Sequence, residues 1–206
     1  MNRQFVILSV AVLTVAGYLV SLKTQDTLPK AADRLGQAVI SSDIDTLWSF
    51  VPKNERSFYN LDKEKFRKYW NTIVQPHVHG FNSIEFDASG TNGIEVVART
   101  SRNPVSSKAF SLLVSGQNGD YYVPYFLATA GIHAVAADIS NKNVKVYQRF
   151  ELYSKWVATN KARLTELGFS KIRRGPLYQC ETLDEMENRF RTIAKDDVAR
   201  TRLAQR

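Results

Sequence analysis

A mixed α+β fold is what this sequence predicts, and three changes of hydrophobic rhythm predict it. From Leu28 to Val74 apolar residues recur at helical spacing. From Ile84 to Tyr125 they alternate, and beyond Phe126 the helical spacing returns. The expected architecture is an N-terminal hydrophobic helix, three helices packed on a four-stranded antiparallel meander, and a helical C-terminal extension. In chain order these are a segment 1–23, a domain 28–126 and an extension 127–206.

The first segment is an uncharged, mostly apolar run from Phe5 to Leu22, bounded by Arg3 and Lys23. As a helix it covers about 27 Å, close to the roughly 30 Å hydrocarbon core of a bilayer. A secretory leader is the competing reading, with Val15-Ala16-Gly17 as a tolerable cleavage site. The apolar character continues past Gly17 through Leu22, which favours an uncleaved transmembrane anchor. Flanking charge puts the N-terminus in the cytoplasm and the rest of the chain outside. The expectation is therefore a single-pass protein of the cell membrane, or a secreted or periplasmic one if the leader is removed. The only cysteine is Cys180, so no internal disulfide supports the fold and no lipid-modified N-terminus follows the run.

Helical signals follow in order. Leu28, Ala31, Leu35, Ala38 and Val39 share one face, with Pro29 in the first turn. Asp43 is placed to cap a second helix carrying Ile44, Leu47, Trp48 and Val51, which Pro52 stops. Asp62 is a third cap, ahead of Phe66, Tyr69, Trp70, Ile73 and Val74. Pro76 and Gly80 are expected to end that helix. Strands centre on Phe86, Val96, Leu112 and Tyr121–Tyr125, with turns at 90–93 and 116–119. Pro124 belongs at an edge or a strand end. An Ala-rich helix spans Leu127 to Ala137, and a long one carries Phe150 to Leu167. Gly168 and Phe169 suit a left-handed helix end. Thr182-Leu183-Asp184-Glu185 is a capping box for the last helix.

Charge is uneven. Residues 1–140 hold 13 Lys/Arg and 12 Asp/Glu, whereas residues 141–206 hold 15 and 8. The basic end points to anionic partners, which beside a membrane are envelope proteins or anionic surfaces rather than nucleic acid, with a merely solvated basic helical surface as the competing reading. No phosphate-binding loop, dinucleotide fingerprint or nucleophile elbow occurs, so the common enzyme signatures are missing and no cofactor is implied. His77 and His79 form the one pair with metal-ligand spacing. Without a third ligand nearby they read as loop residues between Pro76 and Gly80. His133, in an apolar run, reads as a core histidine with one hydrogen-bond partner. An acid–base set is conceivable from Asp43, Asp45 and His77, although Asp43 already has a capping role. Trp48, Phe66, Tyr69, Trp70, Phe110, Tyr121 and Tyr125 are the candidate ligand-lining residues, with core packing as their competing role. Lys171, Arg173 and Arg174 are the candidate anion contacts, with an incidental solvated turn as their competing role.

The run Ala38-Val39-Ile40-Ser41-Ser42-Asp43-Ile44-Asp45-Thr46-Leu47, followed by a short helix, the Phe66–Val74 helix and antiparallel strands, resembles the NTF2-like (cystatin-like, SnoaL-like) α+β superfamily over residues 28–126. The resemblance implies a curved sheet wrapped round a long helix as a cone, whose mouth holds a small ligand. The helical residues after 126 depart from that pattern, where further strands are expected. The functional expectation is a membrane-tethered, extracytoplasmic, non-catalytic binding or assembly module. The alternative is a small-molecule isomerase or hydratase with a cone pocket.

Overall fold

The structure is a computed structural model that describes residues 27–87, 93–103, 107–140, 142, 144–173 and 182–203. It is α+β, with one four-stranded antiparallel sheet in the order β1-β2-β3-β4. Helix α1 spans Leu28–Ser41 and buries Ala31, Ala32, Leu35, Ala38 and Val39. Asp43 caps α2 (Ile44–Ser49). One carboxylate oxygen accepts from the N–H groups of Asp45 and Thr46, and the other accepts from the Thr46 hydroxyl at 2.7 Å. A short α3 (Lys53–Phe58) starts after Pro52. Its six residues carry too little apolar periodicity to register in the sequence. Asp62 caps α4 (Lys63–Tyr69), accepting from Lys65 N at 2.8 Å.

Contrary to expectation, Pro76 does not end this helix, and His77 does not sit in a loop. A π-helical turn (Trp70–Val74) continues α4 into α5 (Gln75–Val78). Proline lacks the N–H that an α-helix needs and its ring crowds the preceding turn. A π-turn widens the helix just where that misfit arises.

Strands β1 (Ser83–Asp87), β2 (Gly93–Arg99), β3 (Ala109–Gln117) and β4 (Asp120–Tyr122) follow. The register sets Ile84 opposite Ala98, Val96 opposite Leu112 and Ala98 opposite Phe110, so one sheet face is apolar. That face and α1 enclose the core. The β3–β4 turn depends on Gly116 (φ +124°), where an added Cβ would lie 2.0 Å from the Asp120 carbonyl oxygen. Gly116→Ala is therefore expected to destabilise the fold by about 2–4 kcal/mol, read as a lowered urea midpoint at unchanged slope.

Because β4 pairs only with Ser115–Gln117, the rest of that β3 edge needs another cover. Helix α6 (Phe126–Ala137) supplies it together with the turn that follows. Ala109 N donates to Ser140 Oγ at 2.7 Å, and His133 Nδ1 donates to the Ser111 carbonyl at 2.5 Å. His133 is thus half-buried and satisfies a strand edge. Helix α6 has no polar face because it is covered on both sides. A Cβ on Gly131 would meet Tyr69 Oη at 3.0 Å and Trp156 at 3.1 Å, which shows how closely the helix carrying Trp156 lies on it.

Helices α7 (Val146–Glu166) and α8 (Leu183–Leu203) form an antiparallel pair. Phe190 packs on Phe150 and Tyr153 with ring centroids 5.9 and 5.5 Å apart. Asp197 accepts from Tyr147 N at one end, and Lys161 pairs with Asp184 at the other. Helix α7 ends as expected at Gly168. Phe169 N bonds to Leu164 O and Gly168 N to Thr165 O. Phe169 then packs on Tyr59 and Tyr69. The C-terminal helices therefore join the main core, which runs without a break from Ala31 to Phe190.

At the centre of that core, Phe66, Trp70, Phe110 and Phe126 stack with centroid separations of 5.6–6.4 Å. The expected transmembrane helix must be corrected. Among the described residues no helix is long and apolar enough to cross a membrane. The run Phe5–Leu22 lies outside those residues. The expected single-pass anchor, and the outward placement that depends on it, have no support among the described residues.

Candidate functional site

Beneath the surface, Glu55 on α3 is only 1 % exposed. Helix α6 begins at Phe126 without a capping side chain of its own, because its N-cap residue is Tyr125. Glu55 takes that role from a distant element: its two oxygens accept from Phe126 N and Leu127 N, each at 2.9 Å. Tyr69 adds a bond from its hydroxyl to the Leu127 carbonyl at 2.5 Å. Burial pushes the Glu55 carboxyl up to about 7, against the pull of the Leu127 and Phe126 N–H groups and of the Arg173 charge.

Directly outside this junction lies a cleft of about 570 Å³. Its floor and walls come from the α2–α3 junction, from β4 and its exit turn, and from Arg173. The turn is tied down by Val123 N, which donates to Phe50 O at 2.9 Å. It then places Tyr125 in the left-handed region (φ 52°), a conformation that costs a tyrosine about 1–3 kcal/mol. Arg173 lies over the Tyr125 ring at 5.5 Å and donates from Nη1 to Asn54 Oδ1 at 2.8 Å. Its backbone N–H donates to Tyr59 Oη at 2.9 Å. Arg56 stacks on Trp48 at 4.0 Å and donates from Nε and Nη2 to the carbonyls of Val51 and Trp48. Lys53 and Asp120 complete the charged lining, giving three cations and one carboxylate.

The expected site residues divide among several places. Tyr121, Tyr125 and Arg173 meet in the cleft, although the first two come from the aromatic set and the third from the anion set. Trp48 is half-buried beside the cleft as the platform for Arg56. Phe66, Trp70 and Phe110 are core residues. Tyr69 borders a separate apolar cavity of about 40 Å³ between α6, α7 and α8, with the Lys171 stem on its rim. Lys171 is exposed and forms a bridge with Thr182. Arg174 lies outside the described residues, as does Cys180.

The acid–base set does not assemble. Asp43 caps α2 and Asp45 pairs with Lys63 at 2.6 Å. His77 instead bonds through Nδ1 to Asp138 at 2.6 Å, and Lys108 holds the other Asp138 oxygen at 3.1 Å. Burial alone would raise the Asp138 pKa. The bonds from His77 and Lys108 outweigh it and hold the carboxyl below its ordinary value. Among the described residues no group of three or more His, Cys, Asp or Glu could hold a metal ion.

Sequence reasoning missed Lys53, Asn54, Glu55, Arg56 and Tyr122. These residues fall within two short stretches, and only the tertiary fold brings them together. In comparisons with known proteins, no family model, no curated protein and no solved structure matches this chain.

Proposed function

We propose that this chain is a non-catalytic binding module whose partner lies in the cleft beside Tyr125 and Arg173. The filled interior carries this reading. An NTF2-like cone would take its ligand inside, but Phe66, Trp70, Phe110 and Phe126 occupy that space. The open polar volume lies instead on the surface. There, fixed guanidinium groups and tyrosine rings are placed for recognition rather than proton transfer. The NTF2-like likeness enters this proposal as a scaffold only.

One observation favours the isomerase or hydratase reading: the close His77–Asp138 pair. It lines neither the cleft nor the apolar cavity, and Lys108 shares its carboxylate. Screening a mixed peptide and metabolite library by NMR separates the two. Bound members are expected to shift the amides of Asn54, Tyr122 and Tyr125 and to be recovered unchanged. Shifts confined to residues around His77, or recovery of an altered compound, would sink the binding-module reading.

A further inference from the structure

We infer that the cleft takes an extended polypeptide segment whose acidic residues alternate with proline or aliphatic ones, an inference that rests on the binding reading above. The first ground is charge. Lys53, Arg56 and Arg173 face one carboxylate, Asp120, across the cleft. The second is preorganisation. Both guanidinium groups are already immobilised, Arg56 by Trp48 and two carbonyls, and Arg173 by Tyr125 and Asn54. Long side chains that are ordered before binding lose little entropy when a partner arrives. The third is the remaining lining. Tyrosine faces, with Pro52 and Pro124, offer flat amphipathic surfaces that suit the stem of an extended chain.

The remaining guanidinium donors and the place of Asp120 shape what the cleft accepts. Arg56 has Nε and Nη2 committed to main-chain carbonyls, and Arg173 has Nη1 committed to Asn54. Arg56 therefore keeps only Nη1 for a partner, whereas Arg173 keeps its Nε–Nη2 edge, which can take one carboxylate side-on. Asp120 also stands inside the cleft, where an unbroken row of negative charge would meet it. A chain with spaced carboxylates leaves a neutral residue at that point. Near neutral pH the partial protonation of Glu55 beneath the cleft weakens a further source of repulsion.

The test uses the full chain and a fluorescein-labelled twelve-residue peptide of alternating Glu and Pro, read by anisotropy. Wild-type protein is expected to bind it, and to lose affinity between about 50 mM and about 300 mM salt. The Gln/Pro counterpart should bind at least about tenfold more weakly. Arg173→Glu and Lys53→Glu should each weaken the acidic peptide by at least about tenfold. Circular dichroism and urea midpoints establish that each variant folds. Lys53 is exposed, so its variant keeps the test decisive if Arg173→Glu is unstable. Equal binding of the Gln/Pro peptide, still lost in Tyr125→Ala, would refute the acidic preference and leave the cleft as the binding site. No binding of either peptide, or binding untouched by both charge reversals, would overturn the inference. Stronger Arg173-dependent binding of heparin would replace it with a uniform polyanion.

Discussion

Glu55→Gln is expected to abolish a fall in stability that the natural protein shows as pH rises from about 4.5 to about 7. The sign follows from the direction of the shift. Burial raises the folded-state pKa of Glu55 from 4.5 to about 7, so the fold holds its proton more tightly than the unfolded chain does. The stabilisation is complete below the unfolded pKa and is lost as pH rises through the folded one. For this shift the loss is about 3 kcal/mol. Urea unfolding at intervals from pH 4.5 to pH 8 measures it as the difference between natural protein and variant. Asp43 and Asp138 shift in the opposite direction, so their effects appear at more acid pH and leave this window clear. Parallel stability curves for the two proteins would show that Glu55 keeps an ordinary pKa. Glu55→Ala goes further, because it leaves the Phe126 and Leu127 N–H groups without their acceptor and opens a void. A loss of about 3–5 kcal/mol is expected near pH 4.5, shrinking by about 3 kcal/mol toward pH 8 as the natural protein gives up the Glu55 contribution.

Trp70→Ala is expected to cost about 3–5 kcal/mol, which places it among the most damaging single changes available. Trp70 is fully buried and touches Phe66, Phe110 and Phe126, so its removal opens the centre of the core. The comparison with Trp70→Phe is more informative. The indole Nε1 is buried with no hydrogen-bond partner among the described residues. A phenyl ring keeps much of the contact and removes that orphan donor, so the expected cost falls to about 1 kcal/mol. Thermal melts should separate the two variants by roughly 5–15 °C. Equal destabilisation by both would mean that the indole hydrogen has a partner after all.

Much of this fold was legible in the chain because local chemistry settles it. Asp43, Asp62 and Thr182 begin helices where their side-chain oxygens reach unsatisfied N–H groups. Gly168 and Phe169 end one with the expected pair of backbone bonds. Alternation through Ile84–Phe86 and Ile94–Ala98 marked two strands that the structure pairs, although Phe86 is exposed. The continuation through Pro76 was not legible, since a π-turn has no composition of its own.

The site was harder to read for a different reason. Phe66 and Trp70 have the same helical spacing whether they fill a core or line a pocket, and only the surrounding elements decide between the two. The meeting of Tyr125 with Arg173 joins the last residues of the sheet domain to the interior of its helical extension. Nothing local marks Glu55, which lies on a short helix without apolar periodicity. Its burial follows from where α6 happens to start.

The way His133 and Ser140 occupy the flank of β3 has a consequence for crowded solutions. A strand arriving from a neighbouring molecule finds the Ala109 amide and the Ser111 carbonyl already engaged. Fibre growth needs a template at both ends of every unit, and here one end is blunted by side chains. Replacing either residue with alanine would re-expose that template without touching the core, turning a blunted edge into a seed.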